Sequence, residues 1–173
     1  MQPERTAERT RSSRRMSVGF EFIGTCPLLQ VFDMPASIAF YCGVLGFEIV
    51  NHSPSGPRPG LDYGWVLLER SGVELMLNTA YEQAERPPTA DPARVAAHGD
   101  TMLYFGCEDL DAAYAHLRSN GIAAREPKVA PYGMRQLHLS DPDGYGLCFQ
   151  WPASQQNYDQ WVERYGLKPM LVE

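Results

Sequence analysis

Tyr132-Gly133-Met134-Arg135-Gln136-Leu137-His138-Leu139-Ser140-Asp141-Pro142-Asp143-Gly144-Tyr145-Gly146-Leu147-Cys148-Phe149-Gln150 is the stretch from which the architecture can be read. Leu137 and Leu139 alternate with Gln136, His138 and Ser140, and Leu147 and Phe149 alternate with Cys148 and Gln150. Successive side chains on a strand point to opposite faces, so each run has one oily side and one polar side. Asp141-Pro142-Asp143-Gly144 supplies turn chemistry between them, which predicts a β-hairpin. The oily face must be covered by the rest of the chain. The other face carries Gln136, His138, Cys148 and Gln150, groups able to hydrogen-bond or to hold a metal, and is expected to meet a ligand or solvent.

Working outward from the hairpin, the same order of signals occurs twice. Met102 to Cys107 reads as a strand and Asp109 as an N-cap; Leu110, Ala113, Tyr114 and Leu117 form the buried face of a helix closed by Asn120-Gly121. Ile122 to Glu126 reads as a further strand, Lys128 to Tyr132 as a loop, and the hairpin completes a βαβββ unit. Upstream, Pro27 to Phe32 is a strand and Asp33 an N-cap, with Pro35 tolerated in the first helical turn. Met34, Ile38, Tyr41 and Leu45 share a helix face that Gly46 ends, and Phe47 to Asn51 is a short strand. After a Pro/Gly-rich loop over His52 to Asp62, Tyr63 to Glu69 and Val73 to Asn78 pair around Ser71-Gly72. Gly46 matches Gly121, and the Ser71-Gly72 turn matches Asp141 to Gly144.

A repeated unit of this size cannot bury its oily face alone. The expected fold is α+β: two βαβββ modules, each a four-stranded sheet with its helix on one side, whose free sides curl together around a cleft. The expected organisation is a disordered basic tail (1–19), the two-module domain over 20–152 and a C-terminal helical extension (153–173). Within the domain, module 1 spans 20–80, a polar Pro- and Ala-rich linker with room for a helical turn spans 81–100, and module 2 spans 101–152. The extension rests on Tyr158, Trp161, Tyr165 and Leu167, with Gly166 as its cap and Pro169 as its stop.

The chain has 173 residues and a formal net charge of -6, enough length to bury most of its apolar surface. Its acidity argues against nucleic acid or an anionic membrane as partner, because phosphate binding needs clustered Lys and Arg. The basic cluster of Arg5, Arg9, Arg11, Arg14 and Arg15 lies in a polar stretch without apolar period. No apolar run approaches the roughly 20 residues that cross a bilayer, and the N-terminus lacks the oily centre of a signal peptide, so a cytoplasmic protein is expected. Cys26, Cys42, Cys107 and Cys148 form no CxxC pair and read as small buried thiols.

Pro27-Leu28-Leu29-Gln30-Val31-Phe32-Asp33, Ser37-Ile38-Ala39-Phe40-Tyr41, Leu45-Gly46-Phe47, Asp109-Leu110-Asp111-Ala112-Ala113-Tyr114, Gly121-Ile122, Tyr132-Gly133-Met134-Arg135 and Asp141-Pro142-Asp143-Gly144 together resemble the vicinal oxygen chelate superfamily. The branch most similar is that of glyoxalase and bleomycin-resistance-like proteins, and the resemblance covers about residues 22 to 152. It implies metal-ligand positions on the first and last strand of each module, which fall here on Cys26, Glu74, Met102 and Cys148. Enzymes of the superfamily usually place His, Glu or Gln there, so Glu74 alone fits. Hard divalent ions prefer oxygen, Ni²⁺ and Fe²⁺ favour imidazole, and Met suits neither. The four positions read either as a soft-metal set suited to Cu(I) or as medium-sized side chains filling a cavity without metal.

If Cys26 faces the cleft, alternation brings Leu28 and Gln30 there; Glu74 brings Met76 and Asn78, Met102 brings Tyr104, and Cys148 brings Gln150. Trp65, Leu67, Gln136 and His138 join them from the third strands. This lining, aromatic and oily with a few amides and one carboxylate, suits a flat or amphipathic organic molecule. His138 reads as a general base or as a hydrogen-bonded wall residue. Glu74 reads as an acid for a cationic ligand or as the partner of Arg135, which by alternation can also point away. His52 and His98 fall in presumed loops and His116 on the exposed side of a helix, none with a visible partner. The expectation is a homodimeric small-molecule-binding protein of the bleomycin-resistance-like, antibiotic-resistance type, with no cofactor. The alternative is a metal-dependent lyase, isomerase or dioxygenase of the same superfamily with an unusual ligand set.

Overall fold

The computed structural model describes residues 24–56, 60, 62–82 and 84–165. The arginine-rich tail and the positions read as the C-terminal cap and stop, Gly166 and Pro169, lie outside them. The elements run β1 (Leu28–Val31), α1 (Met34–Ile38, continued as a π-helical turn Ala39–Val44), β2 (Glu48–His52), β3 (Trp65–Arg70), β4 (Val73–Thr79), α2 (Pro92–His98), β5 (Met102–Gly106), α3 (Leu110–Ser119), β6 (Lys128–Val129), β7 (Met134–Ser140), β8 (Gly146–Pro152) and α4 (Gln155–Tyr165). They form two four-stranded mixed sheets, ordered β1-β4-β3-β2 and β5-β8-β7-β6. In each, the first strand pairs parallel with the last and the others pair antiparallel. The architecture is two βαβββ modules in an α+β fold. No described helix is long and apolar enough to cross a membrane.

The period-two pattern places the sheets. Leu29, Val31, Val66, Leu68, Leu75 and Leu77 on the first sheet and Leu137, Leu139 and Leu147 on the second are buried and share one continuous core. Burying a leucine such as Leu68 or Leu147 completely stabilises the fold by about 2 kcal/mol. Leu110 and Leu117 of α3 and Met34, Phe40, Tyr41 and Leu45 of the first helix fill the same interior. Phe47 and Phe105 meet edge to face across the modules, with ring centroids 6.5 Å apart. The alternate residues of every strand therefore face away from this shared core.

Both helices start as expected, the Asp33 carboxylate accepting from the Ala36 amide (3.3 Å) and that of Asp109 from Ala112 (2.9 Å). Thirteen positions separate Asp33 from Gly46, and twelve separate Asp109 from Gly121. The extra residue is absorbed by the π-helical turn, the usual accommodation for a single insertion in a helix.

The hairpin turn of the second module does more than reverse the chain: it docks into the first. Asp143 accepts from the Phe32 amide (2.7 Å) and the Ser37 hydroxyl (3.2 Å). Asp141 accepts from the Tyr41 hydroxyl (2.9 Å) and from the amides of Asp143 (3.0 Å) and Tyr145 (2.8 Å). The Tyr145 hydroxyl accepts from the Gln30 amide (3.2 Å) and faces the Gln30 carbonyl and His98 Nε2, both at 3.3 Å. Imidazole and phenol rings stack at 4.0 Å, and His98 Nδ1 donates to the Asp143 carbonyl (2.7 Å). Gly144, at φ +89°, could not carry a side chain, since a Cβ there would stand 2.6 Å from the Val95 carbonyl of α2.

Several sequence expectations change: His52 ends β2 with its Nδ1 2.8 Å from the Ser53 carbonyl and its ring against Tyr63, and Lys128–Val129 of the expected loop is a strand. Ile122 to Glu126 forms no strand: the Arg125 amide reaches the His138 carbonyl (2.9 Å), but Pro127 has no amide to extend the ladder, and pairing begins only at β6. His98 lies not in a loop but at the end of α2, held by Asp143 and Tyr145. His116 has a partner, its Nε2 donating to the Val44 carbonyl at 2.8 Å.

Asp141→Ala orphans two backbone amides and the buried Tyr41 hydroxyl, and a loss of about 3 kcal/mol is expected in urea unfolding, against about 1 kcal/mol for Asp141→Asn. Burial pushes the carboxyls of Asp141 and Asp143 up despite the hydrogen bonds they accept. A carboxyl raised in the folded state adds stability below its unfolded pKa and loses it as pH rises through the folded one. Wild type should therefore gain stability relative to Asp141→Asn/Asp143→Asn as pH falls from neutral toward 4, measured by paired thermal melts.

Candidate functional site

The candidate residues occupy the two sheet faces turned away from the core. On the first sheet, Cα register aligns Gln30, Asn78 and Trp65 in one row and Leu28, Met76 and Leu67 in the next, with Glu74 opposite Glu69. Asn78 Nδ2 donates to Gln30 Oε1 (3.2 Å). Trp65, Met76, Asn78 and Gln30 are half-buried, whereas Glu74 is exposed. Cys26 sits beside this face, its thiol pushed up by burial and then by the Glu74 carboxylate. Of the two readings of Glu74, the pair with Arg135 does not form. Arg135 points to the helix side and binds Asp111 of α3 in bidentate fashion, at 2.6 and 2.8 Å.

On the second sheet, Tyr104, Cys148 and His138 form one row and Gly106, Gln150 and Gln136 another. Gln136 Nε2 donates to Gln150 Oε1 (2.9 Å) and to the Tyr132 hydroxyl (2.6 Å), so the two amides fix each other's orientation. Cys148 Sγ lies 3.8 Å from His138 Nε2. Although it faces away from the core, Cys148 has no exposed surface, and burial pushes its thiol up to about 11. It is a neutral thiol next to an imidazole, not an activated thiolate. Met102 lies across Gly146, where a Cβ would stand 2.6 Å from Met102 Cε. Tyr104 is 56% exposed.

Tyr132, whose hydroxyl anchors Gln136, escaped sequence reasoning. It precedes the strand, and alternation says nothing of side chains entering from a turn. Cys26 and Glu74 thus come together on one sheet, and Met102 and Cys148 on the other. No hydrogen bond or ring contact joins side chains of the two outer faces among the described residues. Nor do the described residues gather three His, Cys, Asp or Glu side chains closely enough to hold a metal ion. A thioether, a thiol that retains its proton and one carboxylate do not make the oxygen- or imidazole-rich set that a divalent ion prefers, so the four positions do not fit the superfamily's metal.

Two βαβββ modules whose outer sheet faces carry amides, thiols and aromatic rings define the fold. The profile of the Glyoxalase/Bleomycin resistance protein/Dioxygenase superfamily matches residues 23–149, and the chain belongs to that superfamily. It is similar to the uncharacterized protein YaeR of Escherichia coli strain K12, 34% identical over 119 residues that cover 66% of this chain and 84% of that one. A bleomycin resistance protein of Geobacillus stearothermophilus is 26% identical over 130 residues, covering 71% and 92% respectively. Among solved structures, the antibiotic-binding protein TnmS3 of Streptomyces sp. CB03234 is similar with a TM-score of 0.53 and 27% identity, over 77% of this chain and 99% of that one.

A thiol raised from 9.0 to about 11 has about a hundredfold less thiolate at neutral pH than an ordinary one. Iodoacetamide at pH 7.5 should leave Cys148 unmodified in the native protein and label it in urea, as read by peptide mass spectrometry. Rapid native labelling of Cys148 would show the thiol to be open and activated.

Proposed function

We propose that this chain is a small-molecule-binding protein of the bleomycin-resistance-like type, sequestering an amphipathic or aromatic organic ligand without changing it and without a catalytic metal. The observation that carries this reading is the outer face of the second sheet. There an exposed phenol, Tyr104, stands beside Gln136 and Gln150 in fixed orientation and the Cys148 thiol next to His138. An aromatic surface with a few oriented amides binds by stacking and by directional hydrogen bonds. Trp65 with Gln30 and Asn78 offers a similar combination on the first sheet, bordered by Met76 and the Glu74 carboxylate, which suits an amine-bearing ligand. The similarity to a bleomycin resistance protein and to an antibiotic-binding protein favours an antibiotic-like ligand.

Both faces turn away from the shared core, and Leu28, Met102 and Tyr104 are 45%, 37% and 56% exposed. A homodimer that sets the first sheet of one copy against the second sheet of its partner would cover these side chains and enclose the ligand between them. In this reading residues 20–152 are the binding domain, residues 1–19 a basic tail, and residues 153–173 an accessory helical extension, all in the cytoplasm.

Metal-free bleomycin titrated into the chelator-treated protein should bind saturably. Tyr104→Ala and Trp65→Ala should each weaken binding about tenfold or more while melting temperature stays within a few degrees, the loss expected for one stacking contact. Equal loss of affinity and melting temperature would make these rings structural, and a sedimentation mass of one chain would remove the shared cleft. A stoichiometric ion in protein purified without chelator, absent in Glu74→Ala, would instead mark a metal-dependent enzyme.

A further inference from the structure

The two modules are copies, yet only one junction between them is filled. In module 1 the notch between the end of β1 and the start of α1 receives the second module's turn: Asp143 on the Phe32 amide and Ser37, and Asp141 on Tyr41. Aligning the N-caps Asp33 and Asp109 places the matching notch between the end of β5 and the start of α3, with Ala113 where module 1 has Ser37 and Leu117 where it has Tyr41. The hairpin that faces this second notch turns in two residues, Ser71-Gly72, against five between β7 and β8. Neither of its two residues is an acid. What remains is a groove of about 650 Å³ between α1, the β3–β4 turn, β5 and α3.

The groove's walls are apolar and aromatic, with Leu45, Phe47, Val73, Phe105, Leu117 and Phe149 among them. Its polar groups are Arg70, Ser71, Cys107, Asp109 and His116. Asp109 is engaged in capping α3 through the Ala112 amide, and His116 donates to the Val44 carbonyl. Arg70 donates one N–H to the Leu45 carbonyl and forms no ion pair with a carboxylate among the described residues. A guanidinium with spare donors at the rim of an aromatic groove complements a carboxylate attached to a flat apolar body.

We propose that this groove is a second small-molecule site, separate from the outer sheet faces, and that it takes an aryl monocarboxylate. The ring system lies against the wall formed by Phe47, Phe105 and Phe149, and the carboxylate meets Arg70.

The test uses the full chain, 2-naphthoate as probe and 2-naphthalenemethanol as its uncharged counterpart. In ¹⁵N-resolved titrations, saturable shifts are expected at Ser71, Gly106 and Ala112. The alcohol and Arg70→Met should each bind about tenfold or more weakly, the worth of one charge-assisted contact, and Arg70→Lys should recover part of the affinity. Ala112→Trp, on the exposed side of the groove, should abolish binding with unchanged melting temperature, and Tyr104→Ala should have no effect. Absence of saturable binding, affinity indifferent to Arg70→Met, or shifts at the outer sheet faces that vanish in Tyr104→Ala would each overturn the assignment.

Discussion

Two buried carboxylates decide how this molecule is assembled. Taking an ionised group out of water costs several kcal/mol unless hydrogen bonds replace its hydration. Asp141 and Asp143 between them accept five: two within the turn, three from the other module. The turn is therefore satisfied only when docked against β1 and α1. The apolar core supplies the larger part of the stabilisation but no direction. The acids supply the direction, admitting one placement of the second module against the first.

That placement sets what the rest of the surface can do. Because both sheets give their oily faces and their helices to one interior, the opposite faces, with their amides, sulfur atoms and aromatic rings, are left for something other than folding. The same docking covers the free edge of β1, where Tyr145 meets both backbone groups of Gln30. An edge strand with unpaired backbone groups invites uncontrolled pairing, and here the second module covers it.

Much of this was legible in the chain. Strand alternation in Gln136 to Gln150 gave the hairpin and its two faces, because period-two patterning is a direct consequence of backbone geometry; the register that aligns Gln136 with Gln150 and His138 with Cys148 depends on the turn and was not legible. The repeat emerged from capping residues, whose chemistry is local. What failed was long-range. Asp141-Pro142-Asp143-Gly144 reads as a turn because those residues favour turns wherever they stand, and nothing local reveals that the carboxylates bond residues 100 to 111 positions away. Alternation allows Arg135 to point away from the cleft, as it does, but nothing local names Asp111 as its partner. Ile122 to Glu126 looks like a strand by composition, but a strand exists only where a neighbour takes up its amides, and Pro127 withholds one.

The inequality of the two hairpin turns also bears on the repeat. The two halves fit as lock and key: the later one carries acids that the earlier one receives, while the earlier one's short turn carries none. Expressed alone, the later half would expose a pair of carboxylates with no receptor, and two later halves could not substitute for one another. The difference at a single bend thus makes the two segments dependent on one another.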